Sequence, residues 1–209
     1  MTTVFRDGPG IALGGGDWST PGLKEVVAID EEGNILHLFP WNPRRVNRMS
    51  ISYSLDMVAT EKTVLQVAWQ MCDVARSLDL FDASVTPELL VDEGTVTTTG
   101  LWLRVGEERS DPRHPVLTDL GFSPNVSVMF ELARSSEHSD QQDEMIRLAS
   151  RLLDRVAGDA VLHFQFEVIW LLRRSGEMSL NERDDLWPPH RLAAVSRPYR
   201  RTTHVFSDE

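Results

Sequence analysis

GDAVLHFQFEVIWLLRRSGEMSLN, residues 158–181, is the stretch whose reading decides the fold. Phe164, Phe166, Val168, Trp170 and Leu172 alternate with His163, Gln165, Glu167, Ile169 and Leu171. A period of two marks a β-strand. The His-Gln-Glu sequence on its second face gives that face partly to water. Glu167 then belongs to the polar side of a strand. Ser175-Gly176 supplies a turn, and EMSLN (177–181) returns as a partner strand. A catalytic Glu167 would need a dry pocket and a charged neighbour to shift its pKa, and the pattern offers neither. His163 shares its face but stands about 13 Å away along a strand, beyond hydrogen-bond reach.

Working outward, Gly158 stands where a helix should stop. Before it, Met145, Leu148, Ala149, Leu152 and Val156 repeat at helical spacing, with Ser139 and Gln142 spaced as a capping box. Arg147, Arg151 and Arg155 line an outer face, and Asp143 is placed to pair with Arg147. VSVMFEL (126–132) and ISYSLDMV (51–58) alternate as strands. Thr60 is spaced to cap a helix over about 61–79, with Glu61 against its dipole. TVTTTGLWLRVGEE (95–108) reads as a strand with Gly100 as a bulge. DPRHPVLTDLGFSPN (111–125) reads as a proline-rich connection, and DDLWPPHRLAAV (184–195) as a short closing helix with proline in its first turn. The order strand, helix, strand, strand, helix, hairpin implies an α+β fold, a mostly antiparallel sheet with two helices on one face in a ferredoxin-like rhythm.

Residues 1–48 differ in character. GPGIALGGGDWSTPG (8–22) lacks the lysine followed by Ser/Thr of a phosphate-binding loop and reads as a flexible loop. VVAIDEEGNILHLF (26–39) reads as a hairpin and PWNPRRVNR (40–48) as a linker. The division is therefore an N-terminal extension, 1–48, and a domain, 49–209. Met49 also suits an internal start, which would leave the extension outside the native protein.

The 209 residues carry a net charge of −11. That balance opposes a general nucleic-acid binder and suits a basic partner, since opposite fields steer association. The first 48 residues hold five basic and six acidic side chains, so the charge resides in the domain. A lone Cys72 on a helix's apolar face precludes an internal disulfide. No apolar run is long enough to span a bilayer and no secretory signal opens the chain, so the cytoplasm is the expected compartment. The six histidines lack metal-ligand spacing, and no nucleophile elbow is present. No catalytic, cofactor or metal residue is assigned. Asp184-Asp185 reads as solvated loop acids, and Trp187 beside Pro188-Pro189 as either a core lid or an exposed anchor.

TDLGFSPNVSVMFEL (118–132), the 158–181 stretch and DLWPPHRLAAVSRPY (185–199) together resemble the third subtype of the Sit immunity-protein family. MSISYSLDMVAT (49–60) resembles its N-terminus, so the likeness covers roughly 49–200. The resemblance implies a non-enzymatic protein that binds and neutralises a cognate toxin. It also implies an Asn-Gly turn where this chain has Gln165-Phe166, so the ribbon over 160–173 is either a hairpin or one long strand. Glu167, Asp184, Asp185 and Trp187 are the expected partner-facing residues: the acids would steer a basic toxin and the indole would anchor it. A regulatory interaction module without a toxin is the alternative, and a small-ligand binder or enzyme the third reading.

Overall fold

The computed structural model describes residues 51–109, 111–133 and 138–207, together with the backbone of four earlier strands. The chain divides into two compact units, Met1–Met49 and Ser50–Glu209. In the first, β1 (Thr2–Asp7), β2 (Gly10–Leu13), β3 (Glu25–Ile29) and β4 (Ile35–Pro40) form an antiparallel sheet of order β2-β1-β3-β4. The β3–β4 pair is the hairpin read from the sequence. Gly10–Leu13 departs from the loop reading: Ile11 pairs with Arg6 on β1. The rest of the glycine-rich stretch and the 41–48 linker lie outside the described residues.

The second unit runs β5 (Ile51–Met57), α1 (Val64–Ser77), α2 (Pro87–Asp92), β6 (Thr95–Val96), β7 (Trp102–Glu107), α3 (Pro115–Leu120), β8 (Val126–Leu132), α4 (His138–Arg155), β9 (Ala160–Phe164), β10 (Val168–Arg174), β11 (Glu177–Leu180), α5 (Pro189–Leu192) and β12 (Tyr199–Arg201). Its sheet has the order β12-β11-β10-β9-β5-β8-β7-β6, antiparallel except for β11 with β12. Strands β9-β5-β8-β7 stand in the order fourth, first, third, second of a β-α-β-β-α-β unit, the ferredoxin-like arrangement. Among the described residues no helix is long and apolar enough to cross a membrane.

Alternation places the core. Tyr53, Leu55 and Met57 of β5 and Val126, Val128, Phe130 and Leu132 of β8 bury one face. Val67, Ala68, Met71 and Cys72 of α1 join Met145, Leu148, Ala149 and Leu152 of α4 in the same apolar cluster. Each fully buried large aliphatic side chain contributes about 2 kcal/mol.

Several boundaries differ from the sequence reading. The α1 cap is Thr63, one turn later than Thr60. Thr63 Oγ1 accepts from the Gln66 N–H at 3.3 Å, and the Thr63 N–H donates to Gln66 Oε1 at 2.8 Å. That reciprocal box satisfies two otherwise unpaired groups. Ser139 falls inside α4. Gly100 is no bulge. It takes φ +92° in the connection between β6 and β7, closed by the Thr97 N–H on the Leu101 carbonyl. The proline-rich connection contains α3, and α2 follows Thr86. Both have proline in the first turn and a side-chain cap, Thr86 Oγ1 for α2 and His114 Nδ1 for α3.

Of the two alternatives for 160–173, one long strand or a hairpin, the hairpin is the one that forms. Gln165 and Phe166 take φ +45° and +58°, and the Glu167 N–H donates to the Phe164 carbonyl at 2.8 Å. Two central residues with positive φ make a turn whose twist matches the flanking strands. Non-glycine residues reach this region at about 1 kcal/mol each. The alternation that suggested one strand is therefore interrupted, and Glu167 is the exposed fourth residue of a turn.

The end of α4 is the most constrained point. Gly158 takes φ +116°, and its Cα lies against the Val58 carbonyl, so that a Cβ there would stand 1.9 Å from the Val58 oxygen. Arg173, 1% exposed, donates from Nε to the Gly158 carbonyl at 2.6 Å, from Nη1 to Leu153 at 2.6 Å and from Nη2 to Val156 at 2.8 Å. One guanidinium thus satisfies carbonyls that the helix end leaves without partners. Burial chiefly, with Arg197 second, lowers its pKa to about 10, which leaves it charged near neutrality.

Candidate functional site beneath the β9–β10 turn

On the face of the sheet turned away from α1 and α4, strand alternation places Asp56 (β5), Ser127 (β8) and His163 (β9) together. Register sets Asp56 opposite Ser127 and His163 opposite Ser54. Ser127 Oγ donates to Asp56 Oδ1 at 2.6 Å, and His163 Nε2 meets Asp56 Oδ2 at 2.9 Å. The Phe166 N–H donates to His163 Nδ1 at 3.1 Å. Nδ1 is therefore an acceptor, and the ring proton sits on Nε2, where it donates to Asp56. Asp56 and His163 are 2% and 1% exposed. In a nucleophilic triad the imidazole stands between hydroxyl and carboxylate. Here the carboxylate stands between, and neither imidazole nitrogen faces Ser127. The network holds the turn from below.

A second layer surrounds it. Phe166 stacks on His163 at 4.3 Å with planes 24° apart, and meets His114 and Phe206 edge to face at 5.6 and 5.4 Å. Phe206 also joins Val116, Phe122, Val161, Ile169 and Leu172 in a smaller apolar cluster. His114 Nε2 lies 3.7 Å from Glu108 Oε1. Burial, reinforced by the charge of Asp56, pushes the Glu108 carboxyl up to about 7, and burial chiefly pushes His114 below its usual value.

A family model described as SitI3-like matches residues 51–191. The chain belongs to the SitI3-like family. No curated protein and no solved structure matches the chain. The SitI3-like match runs from β5 into α5, so it includes the Asp56–His163 network, the β9–β10 turn and the Gly158–Arg173 joint.

In this SitI3-like chain the expected partner-facing residues occupy two connections. Glu167 is on the β9–β10 turn. Asp184, Asp185 and Trp187 lie between β11 and α5. Asp185 takes two bonds from Arg183, at 2.6 and 3.2 Å, and Asp184 lies 3.3 Å from Arg201. Trp187 is 2% exposed and packs edge to face on Trp170 at 6.2 Å. It is the core lid of the two readings, and its burial gives a partner no indole to grip. Asp143 bonds Arg191 at 2.6 Å and His190 at 2.8 Å in place of Arg147. His163 and Glu167 do not share a strand face, because the turn intervenes. Sequence reasoning missed the Asp56–His163 pair, since its members lie 107 residues apart.

Glu108 yields a pH prediction. Its folded pKa is raised, so between about 4.5 and about 7 the folded state holds the extra proton. Stability is then lost as pH rises through that window. His114, lowered, acts oppositely and costs stability as pH falls through its unfolded value of 6.5. Glu108→Gln removes the first effect. The variant should gain about 1–3 kcal/mol over the parent at pH 8 relative to their difference at pH 5. Urea denaturation at the two pH values measures this, and equal differences would refute it.

Proposed function

We propose that the protein is an immunity protein that binds a cognate toxin stoichiometrically and neutralises it in the cytoplasm without turnover. Membership of the SitI3-like family over 51–191 carries this reading. Two further observations support it. The buried polar groups at the candidate site bond one another, an arrangement suited to shaping a surface. The net charge of −11 suits a basic toxin. The binding function is assigned to the second unit, with residues 1–48 as an appendage and no cofactor or metal required. Glu167, Asp184 and Asp185 would steer the approach, and Trp187 would support the surface from within the core.

The alternative, a regulatory interaction module, shares the binding role and differs only in its partner. The full chain used as bait in its native host, with mass spectrometry of the prey, tests both. A single stoichiometric prey that kills cells, and whose killing stops on co-expression, is the expected result. A prey harmless to cells would transfer the protein to the alternative.

A further inference from the structure

We infer that the β9–β10 turn is the recognition knob of this protein, and that Phe166 and Glu167 together receive an arginine side chain projecting from the bound partner protein. The inference rests on the toxin-binding reading and goes beyond it by naming the surface and its chemistry. Four observations carry it. Gln165 and Phe166 both hold positive φ, a state that glycine or asparagine would adopt at less cost. Such outliers persist where their surroundings over-determine them and cluster at binding sites. Here the surroundings are three rings, from His163, His114 and Phe206, and the bond from the Phe166 N–H to His163 Nδ1. Second, Phe166 remains 38% exposed despite that packing, so the ring is fixed in orientation while part of it faces water. A rigid, partly exposed aromatic anchors an interface at little entropic cost.

Third, the chemistry around the ring is complementary to a cation. Glu167 is exposed beside it, and among the described residues no cation pairs with its carboxylate. The buried Asp56 adds a carboxylate beneath, bonded to the His163 ring on which Phe166 stacks. A guanidinium can lie against the exposed part of the ring while it donates to the Glu167 carboxylate. Fourth, the pedestal is closed: Ser127, Asp56 and His163 use their polar groups on one another, so the knob is set before the partner arrives. The rival surface is the outer face of α1, where Leu65 and Trp69 are 40% and 49% exposed one helical turn apart. Among the described residues no comparable set of bonds fixes those side chains.

The test uses the full chain, the prey captured by the wild type, and purified variants titrated against that prey by calorimetry. Phe166→Gly relieves the strained φ, so its thermal midpoint should stay within about 5 °C of the parent. Its affinity for the prey should nevertheless fall about 100-fold. Glu167→Lys, at an exposed position, should keep the fold and weaken binding about 10-fold, mainly through slower association at low salt. Trp69→Ala should stay within about twofold. If Phe166→Gly and Glu167→Lys bind as the parent does, the knob is overturned while toxin binding stands. If Trp69→Ala alone loses binding, the α1 face is the docking surface and the knob is likewise overturned. If the wild type captures no stoichiometric prey, the toxin-binding reading fails, and the knob fails with it.

Discussion

Gly158→Ala should leave little folded protein. The Cβ it introduces would lie 1.9 Å from the Val58 oxygen and 3.1 Å from the Val58 carbonyl carbon, and the backbone would still need φ +116°. Relief by moving Val58 is blocked, because its own N–H donates to the Asp159 carbonyl at 2.8 Å. That bond ties the end of β5 to the start of β9. Strain at an unfavourable φ alone costs about 1–3 kcal/mol, and a main-chain collision adds to it. A total above about 4 kcal/mol is a large share of the 5–15 kcal/mol that holds a domain together, and nearly cancels it at the lower end of that range. Circular dichroism and urea denaturation of the variant would measure it. A midpoint near the parent's would mean that α4 can enter β9 by another path.

Arg173→Met is the second large effect. Methionine fills much of the arginine's volume and donates nothing, so the carbonyls of Leu153, Val156 and Gly158 lose the donors that Arg173 supplies. An unsatisfied buried acceptor costs about 1–3 kcal/mol, and three at one helix end total about 3–5 kcal/mol after relaxation. Arg173→Lys should recover less than half of that loss, because an ammonium on a flexible stem cannot reproduce a planar fork aimed at three oxygens. Hydrogen exchange should quicken in the last turn of α4 before it does elsewhere. Loss confined to global unfolding, with no local opening, would show that the guanidinium acts only through packing.

The sheet and both long helices were legible because they depend on local periodicity. Val126, Val128, Phe130 and Leu132 alternate without interruption, and Met145, Leu148, Ala149 and Leu152 keep a helical spacing that nothing else imitates. The β9–β10 turn was hidden for a physical reason. Gln-Phe has the wrong preferences for two positive φ values, and only the rings of His163, His114 and Phe206, brought in by the fold, hold it there. Glu167 was consequently placed on a strand face it does not occupy. The short helices α2 and α3 did carry a local sign, Thr86-Pro87 and His114-Pro115, which reads as a cap followed by proline at the first helical position. Thr63-x-x-Gln66 likewise carries the spacing of a capping box, which Thr60, with Thr63 three residues on, does not. The Asp56–His163 pair carried no local sign, since alternation shows which residues share a face of one strand but not which strands will be neighbours.

The place of β5 between β8 and β9 has a consequence for the timing of synthesis. β5 is the first strand of its unit to leave the ribosome, yet Asp56 must wait for Ser127 and His163, 71 and 107 residues later, to complete its bonds. At 5–20 residues per second the second wait is about 5–20 s. During it an alternating strand, Tyr53, Leu55 and Met57 on one side, stands with both edges open, the state in which chains pair wrongly with one another. Long-range pairing of this kind also slows folding once the whole chain is present. A cell relying on this protein therefore gains no working copy from a partly made chain, and a reserve of finished molecules has to be standing before it is needed.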